Sequence, residues 1–284
     1  MHRKTSVPRA VRCAIEDFQS YVVNSYRSRV SKWVASRDLL QKVAEAISTY
    51  IGSTASAINP IYAADLLGVN LHFERQPLQE QMNLGCGRLT ASPRGFEATV
   101  YGAEHEPQAR LTTAHECGHS LFFTPVCEST PQRIVPVSLD FGSPLRRREE
   151  ALCDEFARTL LIPSTFRDQL LQSPGRIDDV FFLARRLSVA PSVLIRRVAY
   201  DFGGWDDRVF FGINFVQQKW RVRPYRGLSN RRSTVVPTGP EIEKTLTDAR
   251  TIQEVARLLF DTHKFPPTEV ISQGLSIWCS IQYR

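Results

Sequence analysis

Two histidines and a glutamate near the middle of the chain have the spacing of a metal site. Residues 115–119 read His-Glu-Cys-Gly-His, an HExxH pattern. Side chains four residues apart on a helix project from one face, about one turn from each other. His115 and His119 can therefore bind one ion, while Glu116, roughly 100° further around the helix, can activate water beside it. The spacing predicts the site of a zinc hydrolase.

The residues around this pattern favour a buried helix. Leu111 and Ala114 precede the first histidine, and residues 121–123 (Leu-Phe-Phe) follow the second. Two buried imidazoles and a buried carboxylate are costly without an ion or another partner. Cys117 should point away from the histidine face and act as a small core residue. Gly118 should allow another element to approach closely.

The third metal ligand is expected from the next predicted helix. A catalytic zinc ion takes three protein ligands and keeps one position open. Glu150 and Asp154 lie four residues apart, so Glu150 can bind the metal while Asp154 accepts a hydrogen bond from the far nitrogen of a ligand histidine. Glu149 is the rival ligand, but it lies roughly 100° away and shares its face with Cys153. The pairing therefore favours Glu150.

The proposed chemistry also needs a base, an electrophile and a surface for the substrate. Glu116 would take a proton from water and pass it to the leaving amine. Residues 96–102 are expected to form a sheet edge along which an extended substrate pairs. Tyr101 and Arg110 are weak candidates for stabilising the oxyanion.

Periodicity and turn signals predict an α+β fold around these residues. Helices are expected over 36–51, from Pro60 to Gly68, over 108–122, from Pro144 toward Pro163, over 176–187 and over 191–201. A strand is expected over 69–74 and a β-hairpin over 85–102. The tail, 205–284, combines strand-like runs with one helix near 240–262.

Composition limits the class of protein. The 284 residues are 42% hydrophobic, and no apolar run is long enough to span a bilayer. Glu16 and Asp17 interrupt the N-terminal segment before it could serve as a signal peptide. The six cysteines form no CxxC pair and are expected to be reduced thiols. We therefore expect a cytoplasmic protein without a membrane partner; its oligomeric state is open.

Arginines leave a second function open. The net charge of +7 is modest for this length. The arginines that could contact DNA are Arg185, Arg186, Arg196, Arg197, Arg231 and Arg232. Because Val193, Leu194 and Val198 fit a packed helix equally well, nucleic acid is a partner that the sequence allows without favouring it. A metal sensor without proteolytic activity is a further alternative, against which the intact Glu116 argues.

Two segments resemble the ImmA/IrrE family of metallopeptidases. Residues 110–123 (RLTTAHECGHSLFF) are similar to its R-x-x-x-A-H-E-x-G-H segment. Residues 150–163 (EALCDEFARTLLIP) are similar to its E-x-x-A-N-x-F-A-x-x-L-L-x-P segment, with Asp154 where the family often has Asn. With an upstream helix, glycine and strand, the similarity covers about residues 58–200.

This resemblance implies a zinc-dependent endopeptidase that cleaves an intracellular regulatory protein of the repressor type. It places the ligand glutamate on Glu150. It also implies a zincin-like metallopeptidase domain over 36–172 and a helix-turn-helix-like segment over 173–204. A basic arm or helix over 1–35 would precede these, and a small α+β region of unknown role over 205–284 would follow.

Overall fold

The computed structural model describes a mixed α+β chain, which confirms the predicted fold class. The described residues are 7–27, 33–52, 57–75, 87–124, 130–135, 143–205, 208–216, 219–226, 239–246, 254–255, 258, 269–273 and 276–282. The helices α1 to α9 are Arg9–Arg27, Trp33–Tyr50, Pro60–Leu67, Pro107–Ser120, Pro144–Leu161, Arg167–Leu171, Ile177–Arg186, Pro191–Arg196 and Gly239–Thr245. The strands β1 to β7 are Val69–Glu74, Gly87–Ser92, Gly95–Tyr101, Arg208–Val216, Lys219–Arg226, Glu269–Gln273 and Ser276–Gln282.

The chain divides into two compact units. The first comprises Met1–Thr165 with Arg186–Val189, and the second comprises Phe166–Arg185 with Ala190–Arg284. The finer boundaries after residues 35, 172 and 204 stay predictions. None of the described helices is both long enough and apolar enough to cross a membrane.

Local signals in the sequence set the ends of the helices of the first unit. The Asn59 side chain accepts a hydrogen bond from the backbone N–H of Ile61 and caps α3, which ends at Gly68 with φ of 70°. Ser143 caps α5 in the same way, by accepting from the backbone N–H of Arg146, and Pro144 occupies the first turn. The predicted starts of both helices are confirmed.

The sheet of the first unit has the order β1-β3-β2. β1 runs parallel to β3 and pairs Val69 with Phe96, while β2 and β3 form the predicted antiparallel hairpin. The prediction that residues 96–102 form a sheet edge is wrong. β3 is the central strand, because β1 follows the short helix α3 and pairs on the side opposite β2. In the described sheet the edges are β1 and β2.

Two helices brace the helix that carries the HExxH pattern. α1 packs against its end, where the Phe18 and Phe122 rings meet edge to face with centroids 5.4 Å apart. The Gln19 side-chain amide donates to the carbonyl oxygens of Leu121 and Phe123 at 3.0 and 2.8 Å. These bonds satisfy two backbone carbonyls of the segment that follows the helix. α5 packs directly along α4.

The second unit contains an antiparallel sheet of order β5-β4-β7-β6. One cluster of buried side chains consists of Val209, Phe211, Ile213, Trp220, Val222, Ile242, Leu246 and Val255. On this sheet, Trp278 stacks on Tyr225 with centroids 5.7 Å apart. The sequence did not predict β6. Of the helix expected near 240–262, α9 covers the first part, and residues 247–253 lie outside the described ranges.

Candidate metal centre

The two histidines of the HExxH pattern converge on one point. Helix α4 carries both on one face, and their Nε2 atoms lie 3.1 Å apart. The rings meet edge to face with centroids 4.8 Å apart. His119 is buried and His115 is half-buried. Two neutral imidazoles whose Nε2 atoms lie this close could both bind one cation.

Glu150 of α5 completes a triangle of ligand atoms. Its Oε2 lies 3.1 Å from His115 Nε2 and 3.5 Å from His119 Nε2. Ligand atoms that surround a tetrahedral ion at zinc distances lie about 3.3 Å from one another. The three predicted ligand side chains are therefore brought together with separations that fit such an ion, and the Glu150 side chain is half-exposed to solvent.

The far nitrogens of both imidazoles contact carboxylates. Asp154 Oδ1 lies 3.0 Å from His115 Nδ1, as the sequence predicted. Glu149 Oε1 lies 2.7 Å from His119 Nδ1, a contact that the sequence analysis missed. Because a carboxylate only accepts hydrogen bonds, each Nδ1 must carry a hydrogen, and in the neutral ring each Nε2 would present its lone pair toward the triangle.

Cys153 is an alternative third ligand for the two histidines. The ligand-capable atoms of His115, His119 and Cys153 all lie within 4.8 Å of one another, so this group could hold a metal ion. However, Cys153 Sγ contacts His119 on its Nδ1 side, at 3.4 Å, whereas Glu150 faces Nε2. One ring cannot offer both nitrogens to the same ion. Burial raises the pKa of the Cys153 thiol to about 11, so beside His119 this side chain is a neutral thiol.

Glu116 lies beside the triangle in a buried position. Only 5% of its surface is exposed. Burial raises the pKa of Glu116, and the charges of His119 and His115 oppose the rise. A Cβ atom added to Gly87 would come within 3.1 Å of Glu116 Oε1 and 2.4 Å of the Thr112 methyl. The first residue of β2 must therefore be glycine for the sheet to approach this carboxylate.

The carboxylates around the triangle raise the pKa of both histidines and so favour protonated rings, and a cation bound at the triangle would displace those protons. Burial alone would lower the pKa of His115, but its hydrogen bonds to Asp154 and Glu150 outweigh burial and raise it. Burial would raise the pKa of Glu150, yet its hydrogen bonds to both histidines and the charge of Arg146 hold it well below its ordinary range. Glu150 is therefore a carboxylate at neutral pH, the form that binds a cation.

A glycine lets the two site helices approach. A Cβ atom on Gly118 would lie 3.1 Å from Cys153 Cα, which confirms the predicted close contact. Cys117 is fully buried, also as predicted. Burial raises the pKa of its thiol, so Cys117 is a neutral core residue.

Arg110 has a structural role. Its guanidinium is buried and donates to the carbonyl oxygens of Ile58 and Ser188, the latter at 3.0 Å. These bonds occupy the group that the sequence offered as an oxyanion donor, so the structure does not support that role for Arg110. The contacts of Tyr101 give no evidence for it either.

The arginines considered for DNA differ in their surroundings. Arg197 is buried, pairs with Asp201 at 3.3 Å and stacks over the Phe202 ring. Arg185, Arg186 and Arg196 are exposed. Arg231 and Arg232 lie outside the described residues. At least one of these cations is therefore part of the packing of the second unit.

Comparison with known proteins adds little. No protein-family model matches the chain, and no curated protein matches it. One similar solved structure is described as a Mycobacterium tuberculosis transcriptional regulator, with a TM-score of 0.45 and 13% identity. The match covers 95% of this chain and 82% of that one. The similarity is too remote to indicate a shared function.

Proposed function

We propose that the chain is a zinc-dependent endopeptidase whose metal ligands are His115, His119 and Glu150. The observation that carries the proposal is the triangle of two Nε2 atoms and one carboxylate oxygen, with separations of 3.1, 3.1 and 3.5 Å. A buried carboxylate, Glu116, lies next to it. Neutral imidazoles and a carboxylate with one open side form a donor set typical of catalytic zinc.

The side chains around the triangle have separate roles in this proposal. A zinc ion held there would polarise a peptide carbonyl and lower the pKa of water. Glu116 accepts the proton of the attacking water and returns it to the leaving amine. Burial moves the pKa of Glu116 upward, toward the range in which one group can both accept and release a proton near neutral pH. Asp154 fixes the tautomer of His115.

The substrate would bind along β2. This strand is an edge of the described sheet, and its first residue, Gly87, approaches Glu116. An extended peptide that pairs with an edge strand presents its backbone at regular spacing. Such pairing recognises the main chain, so it suits an enzyme that cleaves within a polypeptide.

The resemblance to the ImmA/IrrE family supplies the substrate class. By that analogy the substrate is an intracellular regulatory protein of the repressor type, and the cytoplasmic location belongs to the same proposal. The experiment incubates the zinc-loaded protein with DNA-binding regulators encoded beside its gene, with and without chelator, and identifies fragments by mass spectrometry. Fragments that disappear with chelator and return with zinc support the proposal.

Glu116→Gln tests the assigned base. The change preserves shape but removes the proton acceptor, so cleavage should fall by at least about a hundredfold. Zinc should remain stoichiometric because Glu116 is not a ligand. Undiminished cleavage by this variant would contradict the role. A sensor without proteolytic activity would instead bind zinc and give no fragments even with the natural residue in place.

A further inference from the structure

A buried ion pair lies behind His119, on the side away from the ligand triangle. We propose that Glu149, held in place by Arg133, is a positioning residue that orients His119 for metal binding. The inference rests on the proposed function to the extent that His119 is a metal ligand. It concerns a residue that the HExxH pattern does not include.

The contacts of Glu149 use both carboxylate oxygens. Oε1 accepts from His119 Nδ1 at 2.7 Å and from an Arg133 nitrogen at 3.1 Å, and Oε2 accepts from Arg133 at 2.7 Å. Only 2% of the Glu149 side chain and 7% of the His119 side chain are exposed. A hydrogen bond excluded from water in this way holds the ring in one orientation more firmly than an exposed one.

Arg133 reaches Glu149 because its segment is tied to the end of α4. The backbone N–H of Thr124 donates to the carbonyl of Gln132 at 2.8 Å, and that of Ile134 donates to the carbonyl of Phe122 at 3.0 Å. The Arg133 guanidinium also lies 4.9 Å from the centroid of the Phe123 ring. The segment that follows the HExxH helix α4 therefore places the Arg133 guanidinium against Glu149 of α5.

The arrangement explains why a charged pair is buried here. An isolated carboxylate at this depth would be strongly unfavourable, and the bidentate bonds of Arg133 compensate its lost hydration. The retained negative charge polarises the imidazole and increases the basicity of Nε2. Cys153, 3.4 Å from the same Nδ1, is a weaker acceptor and would leave the ring less well fixed.

The exposure of the two carboxylates that contact the Nδ1 atoms predicts which of them matters more for metal affinity. The Asp154 side chain is 50% exposed, whereas that of Glu149 is 2% exposed. Water can replace Asp154 as the acceptor for His115, whereas the buried Nδ1 of His119 would be left with the weaker acceptor Cys153. Replacing Glu149 should therefore reduce metal affinity more than replacing Asp154.

The test measures zinc affinity of the full-length protein by chelator competition, without any substrate. Glu149→Gln should weaken zinc binding by at least about tenfold, and Asp154→Asn by less. The matched control is Glu155→Gln, another buried glutamate of α5 that is paired with arginines but contacts neither histidine. It should lose stability while keeping the natural affinity. Cobalt-substituted Glu149→Gln should show a changed visible spectrum, and Glu155→Gln should not.

Several results would overturn the inference. The first is that Glu149→Gln binds zinc as tightly as the natural protein. The second is that Glu155→Gln loses as much zinc affinity as Glu149→Gln. If Glu149→Gln does not fold, Arg133→Met takes its place, and unchanged affinity in that variant overturns the inference, whereas recovery in Arg133→Lys supports it. If the natural protein itself binds no zinc, the proposed function fails, which separates that failure from a failure of the role of Glu149.

Discussion

At the scale of single residues, the identity of the third ligand decides the chemistry. Glu150 faces the Nε2 atoms of both histidines, whereas Cys153 contacts the opposite nitrogen of His119. A carboxylate ligand belongs to a hydrolytic site, and a thiolate would make the ion less acidic and the site more structural.

Replacing Glu150 and Cys153 one at a time distinguishes the two possible sets of metal ligands. Glu150→Gln removes a ligand and should weaken zinc binding by more than about a hundredfold, beyond the range typical of residues that only support a ligand. Cys153→Ala should leave zinc affinity within about threefold, since its sulfur is a neighbour and not a ligand in this account. Chelator competition measures both. The reverse order of effects would assign the ion to His115, His119 and Cys153.

The residues of the site that could be predicted are those governed by helical spacing. Four residues separate His115 from His119, and four separate Glu150 from Asp154. Each pair could therefore be predicted from the spacing within a single helix. Glu149 was considered only as a rival ligand, and its contact with His119 was not predicted, because it lies roughly 100° around the helix from Glu150. The two packed helices enclose His119 from more than one side, and the spacing within one helix does not reveal this. Arg133 comes from a separate segment, and no local pattern connects it to the site.

At the scale of elements, a polar network fixes α5 against α2. Glu155 accepts hydrogen bonds from Arg37 and Gln41 of α2 and from Arg158 of its own helix. Burial would raise the pKa of Glu155, but the charges of Arg158 and Arg37 outweigh it and lower the pKa. The network therefore stabilises the helix that carries Glu150 only while Glu155 is ionised.

Glu155→Gln should reveal this dependence on pH. A folded-state pKa below the unfolded value of about 4.3 means that the contribution is complete above that pH and is lost as pH falls through the folded pKa. Near pH 7 the variant should lose about 1–3 kcal/mol of unfolding free energy. Denaturant titrations should show the difference shrinking below about pH 4.3. A difference that stays constant into acid would contradict the account, and Glu97→Gln, at an exposed position, is the control.

The elements themselves were largely predictable, but their arrangement was not. Helix ends are set by the backbone and side-chain chemistry of Asn59, Gly68 and the pair 143–144. The positions of these helix ends therefore follow from the sequence. The alternation in β3 predicts a strand but does not say which strands lie beside it. The parallel pairing with β1 is a long-range contact, and it moved β3 from the expected edge to the centre of the sheet.

At the scale of the whole molecule, the candidate centre belongs to the first unit alone. Its ligands, the carboxylates behind them and the Ser188 carbonyl that holds Arg110 all lie within Met1–Thr165 and Arg186–Val189. The second unit has a sheet and a buried cluster of its own. The net charge of +7 is modest for 284 residues and does not by itself indicate DNA binding.

The central claim is that His115, His119 and Glu150 hold one metal ion. The most direct measurement is a crystal structure of the zinc-loaded protein with anomalous data collected at the zinc edge. We expect a single peak about 2.0–2.2 Å from both Nε2 atoms and from a Glu150 oxygen. A peak bonded to Cys153 Sγ, or no peak between the two site helices, would contradict it.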